Sequence, residues 1–209
     1  MYDKKRNRVM IIVSLLLILF SSWISAGEKP SDTPSPLIEG KKVAMVIAYS
    51  DFQDMELNVP KALLEKEGAI VTIVSSKLGI AKGMYGTKIK TDVLIDELNV
   101  ANFDAVVFVG GMGVKQYWKD PKAHAIAQDA IKKGKVLAAI CWAPVILANA
   151  GVLEGKQATG HTYEDAHQIL KRKGADYTGK SVTVDGNIIT AFGPSSANSF
   201  AKAVIEALK

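Results

Sequence analysis

The chain has a single cysteine, Cys141, so no intrachain disulfide can form and stability must come from packing. Histidine is scarce too. His124, His161 and His167 are the only three, and none falls in zincin or Cys/His spacing. His161, Glu164, Asp165 and His167 lie near one another in sequence but match no metal-ligand pattern, and no metal is expected. Internal repeats and heptad runs are absent. The one glycine-rich run, Gly110-Gly111-Met112-Gly113, lacks the Lys-Ser/Thr of a Walker loop and the spacing of a dinucleotide fingerprint, so nucleotide binding is disfavoured.

A strong charge is missing as well. The net charge of +5 belongs partly to the first 26 residues, which hold four of the 26 Lys and Arg and one of the 21 Asp and Glu. The remainder carries 22 cations against 20 anions, or +2, which gives no case for a nucleic-acid partner. Within those first residues, Lys4, Lys5, Arg6 and Arg8 precede an apolar run from Val9 to Phe20, and Ser21, Ser22, Ser25 and Ala26 follow. This is the pattern of a signal peptide over residues 1–26, with cleavage after Ala26 favoured over a retained N-terminal anchor because the run is short for a membrane span. Export to the periplasm or outside the cell is therefore expected, with membrane contact only through this segment if it stays. Pro30, Pro34, Pro36, Ser31 and Ser35 make residues 27–40 an extended spacer, and one domain is expected over 41–209.

Within that domain, unbroken apolar runs at Val43–Tyr49, Asp104–Val109 and Val136–Ile140 read as strands covered on both faces. Asp54–Glu67 reads as a helix closed by Gly68, and Ala69–Ser75 as the next strand. Ile80–Leu94 suggests small strands or a hairpin. Asp120 with Pro121 starts a helix that Gly134 closes, Pro144 opens a short helix, and Thr162–Lys173 is expected to form another with Thr162 and Asp165 as a capping pair. Val182–Thr190 reads as a hairpin turning at Asp185-Gly186, and Ala197–Leu208 as a terminal amphipathic helix. Alternating strands and helices predict an α/β fold, a doubly wound, mostly parallel sheet with helices on both faces.

Ligands of such sheets bind at the carboxyl ends of the strands, where three groups fall: Asp54 and Glu56, Gly110 and Gly111, and Cys141. A cysteine at the start of a helix meets backbone N–H groups that favour thiolate, so a reactive thiol with a lowered pKa is expected there, in preference to an inert small core residue. The N–H groups of Gly111 and Trp142 are placed to hold an oxyanion. His161, at the end of the short strand Gln157–Thr159, is a candidate base or proton carrier, whereas His124 reads as a surface residue.

Phe52-Gln53-Asp54-Met55-Glu56, Val109-Gly110-Gly111, Ala139-Ile140-Cys141-Trp142-Ala143-Pro144 and Phe192-Gly193-Pro194 resemble the motifs of the ThiJ/PfpI superfamily, over about Lys41 to Lys209. That superfamily includes the parkinsonism-associated deglycase, PfpI-type proteases and glutathione-independent glyoxalases. The resemblance implies a flavodoxin-like, commonly dimeric fold in which Cys141 lies close to a protonated Glu56, Gly111 and Trp142 supply oxyanion N–H groups, and His161 stands near the thiol. It implies chemistry on a small-molecule carbonyl substrate without a cofactor, or alternatively a non-enzymatic redox or stress-response role through oxidation of Cys141. Protease-like members carry histidine directly after the cysteine. Trp142 stands there in this chain, so peptidase activity is not implied.

Overall fold

The computed structural model describes residues 35–209, and the expected signal segment and residues 27–34 of the spacer lie outside the described residues. Ile38, at the end of the expected spacer, is buried, and its N–H donates to the Glu67 carbonyl at 3.0 Å. The packed chain therefore begins a few residues before Lys41.

The core is a seven-stranded sheet. Its order is β11 (Val182–Asp185), β12 (Ile188–Ala191), β8 (Val136–Ile140), β7 (Ala105–Phe108), β1 (Lys42–Val46), β3 (Ile70–Ser75) and β6 (Val93–Leu94). All neighbours are parallel except β11 and β12, the expected hairpin, whose Asp185 pairs with Ile188 around Gly186 at φ +60°. Every residue of β7 and β8 is buried, because helices cover both faces and leave no side for polar residues to alternate onto. Helices α1 (Asp54–Lys66) and α5 (Ala197–Leu208) pack against each other, and α2 (Pro121–Lys132) packs against α3 (Pro144–Asn149), which in turn meets α4 (Ala166–Arg172). Pro60 sits inside α1, which runs through it unbroken.

The excursion after β3 is a hairpin, β4 (Gly79–Gly83) with β5 (Lys88–Thr91). A third strand, β2 (Ser50–Phe52), joins it within a segment whose short, polar sequence carries no strand periodicity. Two further short strands, β9 (Gln157–Ala158) and β10 (Asp176–Tyr177), form a separate pair.

The helix expected from Thr162 starts only at Ala166, and no capping pair forms. Glu164 and Asp165 hold left-handed backbone at φ +51° and +56°. Tertiary contacts override the local cap there. Tyr163 stacks on Trp142 while its N–H donates to His161 Nδ1 at 3.0 Å, a local bond that stands in place of the expected Thr162–Asp165 pair.

Parallel order reverses at β1, which has β3 on one side and β7 on the other. The chain ends of β1, β7 and β8 therefore open onto one crevice.

Candidate functional site

Cys141 follows β8 directly and adopts φ +67°, a left-handed conformation that costs a non-glycine residue on the order of 1–2 kcal/mol. Two bonds enforce it. The Cys141 N–H donates to the Ala191 carbonyl on β12 at 2.9 Å, and the Cys141 carbonyl accepts from the His161 N–H at 2.9 Å. The strand is thus turned sharply, and Cys141 is presented at the strand ends while the residue stays 9 % exposed.

Of the two acids that the sequence offers after β1, the structure turns them to different tasks. Asp54 Oδ2 accepts from Tyr85 N–H at 2.9 Å and Oδ1 from Thr87 N–H at 2.7 Å, which ties the β4–β5 turn to the start of α1. Burial pulls this carboxyl up, but the bonds from Thr87 and Tyr85 outweigh it and hold Asp54 below the usual carboxylate range. Asp54→Ala is expected to destabilise the protein by about 1–3 kcal/mol through two orphaned N–H groups, measured by urea unfolding. An unchanged midpoint would show that the turn is held by something else.

Glu56 points the other way, into the crevice, and is fully buried. Its Oε2 accepts from Gly110 N–H at 3.0 Å. Oε1 makes no hydrogen bond of ordinary geometry among the described residues, and the thiol that acts on the carboxyl is that of Cys141. Gly110 is required by this approach: a Cβ there would stand 2.7 Å from Cys141 Cβ and would overlap Glu56 Oε2. Burial pushes the Glu56 pKa up to about 8, against the pull of the bonds from Cys141 and Gly110, so the carboxyl is protonated at neutral pH.

The expected lowering of the thiol pKa is not what the environment imposes. Burial pushes Cys141 up first, and the charge and hydrogen bond of Glu56 add to it, while the N–H groups of Gly111 and Trp142 pull it down. Helix α3 is only six residues long, a weak source of dipole against that desolvation. The Glu56 contribution exists only while Glu56 is charged. Once protonated, the carboxyl carries no repelling charge and donates to the sulfur, so thiol and carboxyl lose protons as a coupled pair. Gly111 and Trp142 thus meet at the sulfur as the sequence suggested, Gly111 doing so at φ +106°.

His161 lines the same cleft as Cys141, but the groups acting on the thiol are Glu56, Gly111 and Trp142. Burial pushes the imidazole below its ordinary value, so it is neutral at neutral pH. Since Nδ1 accepts the Tyr163 N–H, the proton of the neutral ring resides on Nε2, which leaves His161 a donor and not a base toward the cleft. His124 is half-buried, with Nε2 2.9 Å from the Trp118 carbonyl, and is not the surface residue that its helix suggested. His167 packs by Tyr177. Among the described residues no group of three or more His, Cys, Asp or Glu side chains is gathered to hold a metal ion.

The cleft measures about 140 Å³ and is lined by Gln53, Met84, Tyr85, Met112 and Pro194 besides Gly111, Cys141, Trp142 and His161. A larger groove of about 320 Å³, along Leu98, Val100 and Ile126, is lined by no cysteine, serine or threonine. Trp142 forms the aromatic wall, stacked on Tyr163 at 5.6 Å between ring centres and edge-on to Trp118 at 6.2 Å. Tyr85 reaches the cleft from the tip of a hairpin, and no local signal marks it. Gln53 is the N-cap of α1, a role that its residue type does not announce.

Comparison with known proteins gives the same picture from outside. Residues 41–207 match the DJ-1/PfpI family. An uncharacterised protein of Methanocaldococcus jannaschii is 38 % identical over 205 residues, covering 98 % of both chains. A Pyrococcus furiosus protein named deglycase PfpI is 32 % identical, over 79 % of this chain and 98 % of that one. The crystal structure of a ThiJ/PfpI domain protein from Brachyspira murdochii superposes with a TM-score of 0.78 at 33 % identity, covering 81 % of this chain and 97 % of that one.

Proposed function

The chain belongs to the DJ-1/PfpI family, and on that premise we propose that Cys141 and Glu56 form a catalytic pair acting on small reactive carbonyl compounds or their adducts, as a glyoxalase or deglycase does. The observation that carries this reading is a fully buried carboxyl that meets the only thiol in the chain beside Gly110, in surroundings that favour its protonated form. The relative named a deglycase supports the substrate class.

For a 2-oxoaldehyde the reaction closes without an external oxidant. The sulfur adds to the aldehyde carbon as its proton passes to one Glu56 oxygen, and the proton held on the other reaches the carbonyl oxygen, giving a hemithioacetal. Glu56 then gives its proton to the ketone oxygen as it takes the former aldehyde hydrogen from carbon, which forms an enediol, and it delivers that hydrogen to the neighbouring carbon as the hydroxyl proton of the first carbon returns to it. The aldehyde carbon is oxidised to a thioester and the ketone carbon is reduced to an alcohol. One water hydrolyses the thioester, which releases a 2-hydroxy acid and restores the thiol. The Gly111 and Trp142 N–H groups and His161 Nε2–H stabilise the oxygen as it gains charge. No cofactor is needed for this internal transfer. Steady-state consumption of methylglyoxal by wild type beside Cys141→Ser tests the reading, and equal rates for the two would end it.

Peptide hydrolysis makes a demand that this site does not meet. A departing amine usually takes its proton from an imidazole beside the nucleophile, and Glu56, the group here that titrates near neutral pH, is held between the thiol and Gly110 N–H. Trp142, the residue after the nucleophile, does not titrate there, and His161 Nδ1 is occupied by Tyr163 N–H.

We further propose export through residues 1–26 and assembly as a homodimer, on the signal-like sequence and the family's habit. Protein recovered from the envelope of the native host should begin near Gly27 and sediment as a dimer. A full-length cytosolic chain would overturn the first proposal and a monomer the second.

A further inference from the structure

One donor in the cleft has no part in the chemistry above. Gln53 is only 8 % exposed. Its backbone N–H donates to the Gly110 carbonyl at 3.0 Å, and its side-chain Oε1 accepts the Glu56 N–H at 3.0 Å. Because only an oxygen accepts an N–H, this bond fixes which way round the amide lies. Oε1 caps the helix, and the opposite end, Nε2, is left for the cleft that Gln53 lines with Cys141, Trp142 and His161. Nε2 meets no acceptor among the described residues. Gln53 Nε2 is not sealed from solvent, so in the empty cleft it can meet water, which an acceptor on a bound ligand would displace.

The surroundings say which acceptor suits it. No lysine or arginine lines the cleft. The cation nearest its aromatic wall, Lys115, lies 4.7 Å from the Trp142 ring centre and is paired with Glu164. A carboxylate beside the reacting carbon would therefore meet no counter-ion, and Glu56 would oppose it whenever ionised. A neutral ketone oxygen meets neither obstacle.

We propose that Gln53 Nε2 donates to the oxygen on the carbon next to the one that Cys141 attacks, which makes Gln53 the residue selecting 2-oxoaldehydes over simple aldehydes, while the lack of a cation in the cleft disfavours 2-oxo acids. The proposal rests on the carbonyl chemistry of the preceding subsection and names the substrate feature that this site reads. The bond also strengthens as the ketone oxygen gains charge in the enediol step.

Two substitutions separate this role from the helix cap. Gln53→Glu keeps an acceptor for the Glu56 N–H but loses the NH₂, and Gln53→Met is neutral and loses both. The readout is the concentration of aldehyde needed to protect Cys141 from methylation by iodomethane, followed by mass spectrometry. For methylglyoxal it should rise about tenfold in both variants, while for propanal, which has no second oxygen, it stays within about twofold. Wild type should need far more glyoxylate than methylglyoxal. Equal changes for methylglyoxal and propanal, or a loss in one variant alone, would overturn the assignment. If methylglyoxal protects as described and yet is not turned over, the enzymatic reading falls while Gln53 keeps its place in recognition.

Discussion

Cys141→Ser is expected to abolish methylglyoxal consumption, by on the order of a thousandfold or more, while leaving the fold intact. The substitution exchanges one small side chain for another on a backbone held by Ala191 and His161, so far-UV circular dichroism should not change. The loss arises because a serine hydroxyl ionises far less readily than a thiol and needs a strong base beside it. None is at hand. Glu56 is protonated at neutral pH, and His161 is a donor with its Nδ1 lone pair engaged. The same reasoning predicts that casein and fluorogenic peptides are not cleaved by wild type above the Cys141→Ser background. Serine activity within about tenfold of wild type would show that the chemistry lies elsewhere, and Cys141-dependent peptide cleavage would show that His161 turns over in the working enzyme.

Glu56→Gln should have opposite effects on activity and stability. Activity falls by about a hundredfold or more, since glutamine fills the same space and still meets Gly110 but carries no transferable proton. Stability rises, and the sign follows from linkage. The Glu56 carboxyl ionises near 4.5 in its ordinary state and at about 8 in the folded protein. Below about pH 4.5 it is protonated whether folded or not. Between about 4.5 and about 8 the unfolded chain releases a proton that the folded chain keeps, so stability declines as pH rises through this window, by a total on the order of 4 kcal/mol. Above about 8 the decline from this group is complete. Glu56→Gln removes the slope, so urea unfolding at pH 5 and pH 8 should bring variant and wild type closer at the lower pH and set the variant well above at the higher. A difference that does not widen with pH would mean that Glu56 is charged in the fold. Wild-type activity should also fall as pH passes about 8 and the relay loses its proton.

Much of this was open to a reader of the sequence. Val43–Tyr49, Asp104–Val109 and Val136–Ile140 announce buried parallel strands because both faces must be apolar, and Cys141-Trp142-Ala143-Pro144 marks a sharp exit from the last of them. Asp120-Pro121 and Gly134 bracket α2 by the chemistry of helix ends. Such signals are local, since a strand or a cap is specified by residues within a few positions of one another. The choice of Glu56 over Asp54 was not local: it depends on Gly110, 54 residues away, and on the Tyr85 and Thr87 N–H groups that claim Asp54. The late start of α4 and the burial of Ile38 were settled in the same manner, by partners that the sequence leaves far apart: Tyr163 stacks on Trp142, and Ile38 N–H meets the Glu67 carbonyl. Sequence by itself determined which residues are candidates for chemistry and at which strand ends they emerge. Only the tertiary structure decided their protonation, because a carboxyl's pKa is set by the water it loses and the donors it meets, and both are delivered by chain segments that periodicity cannot pair.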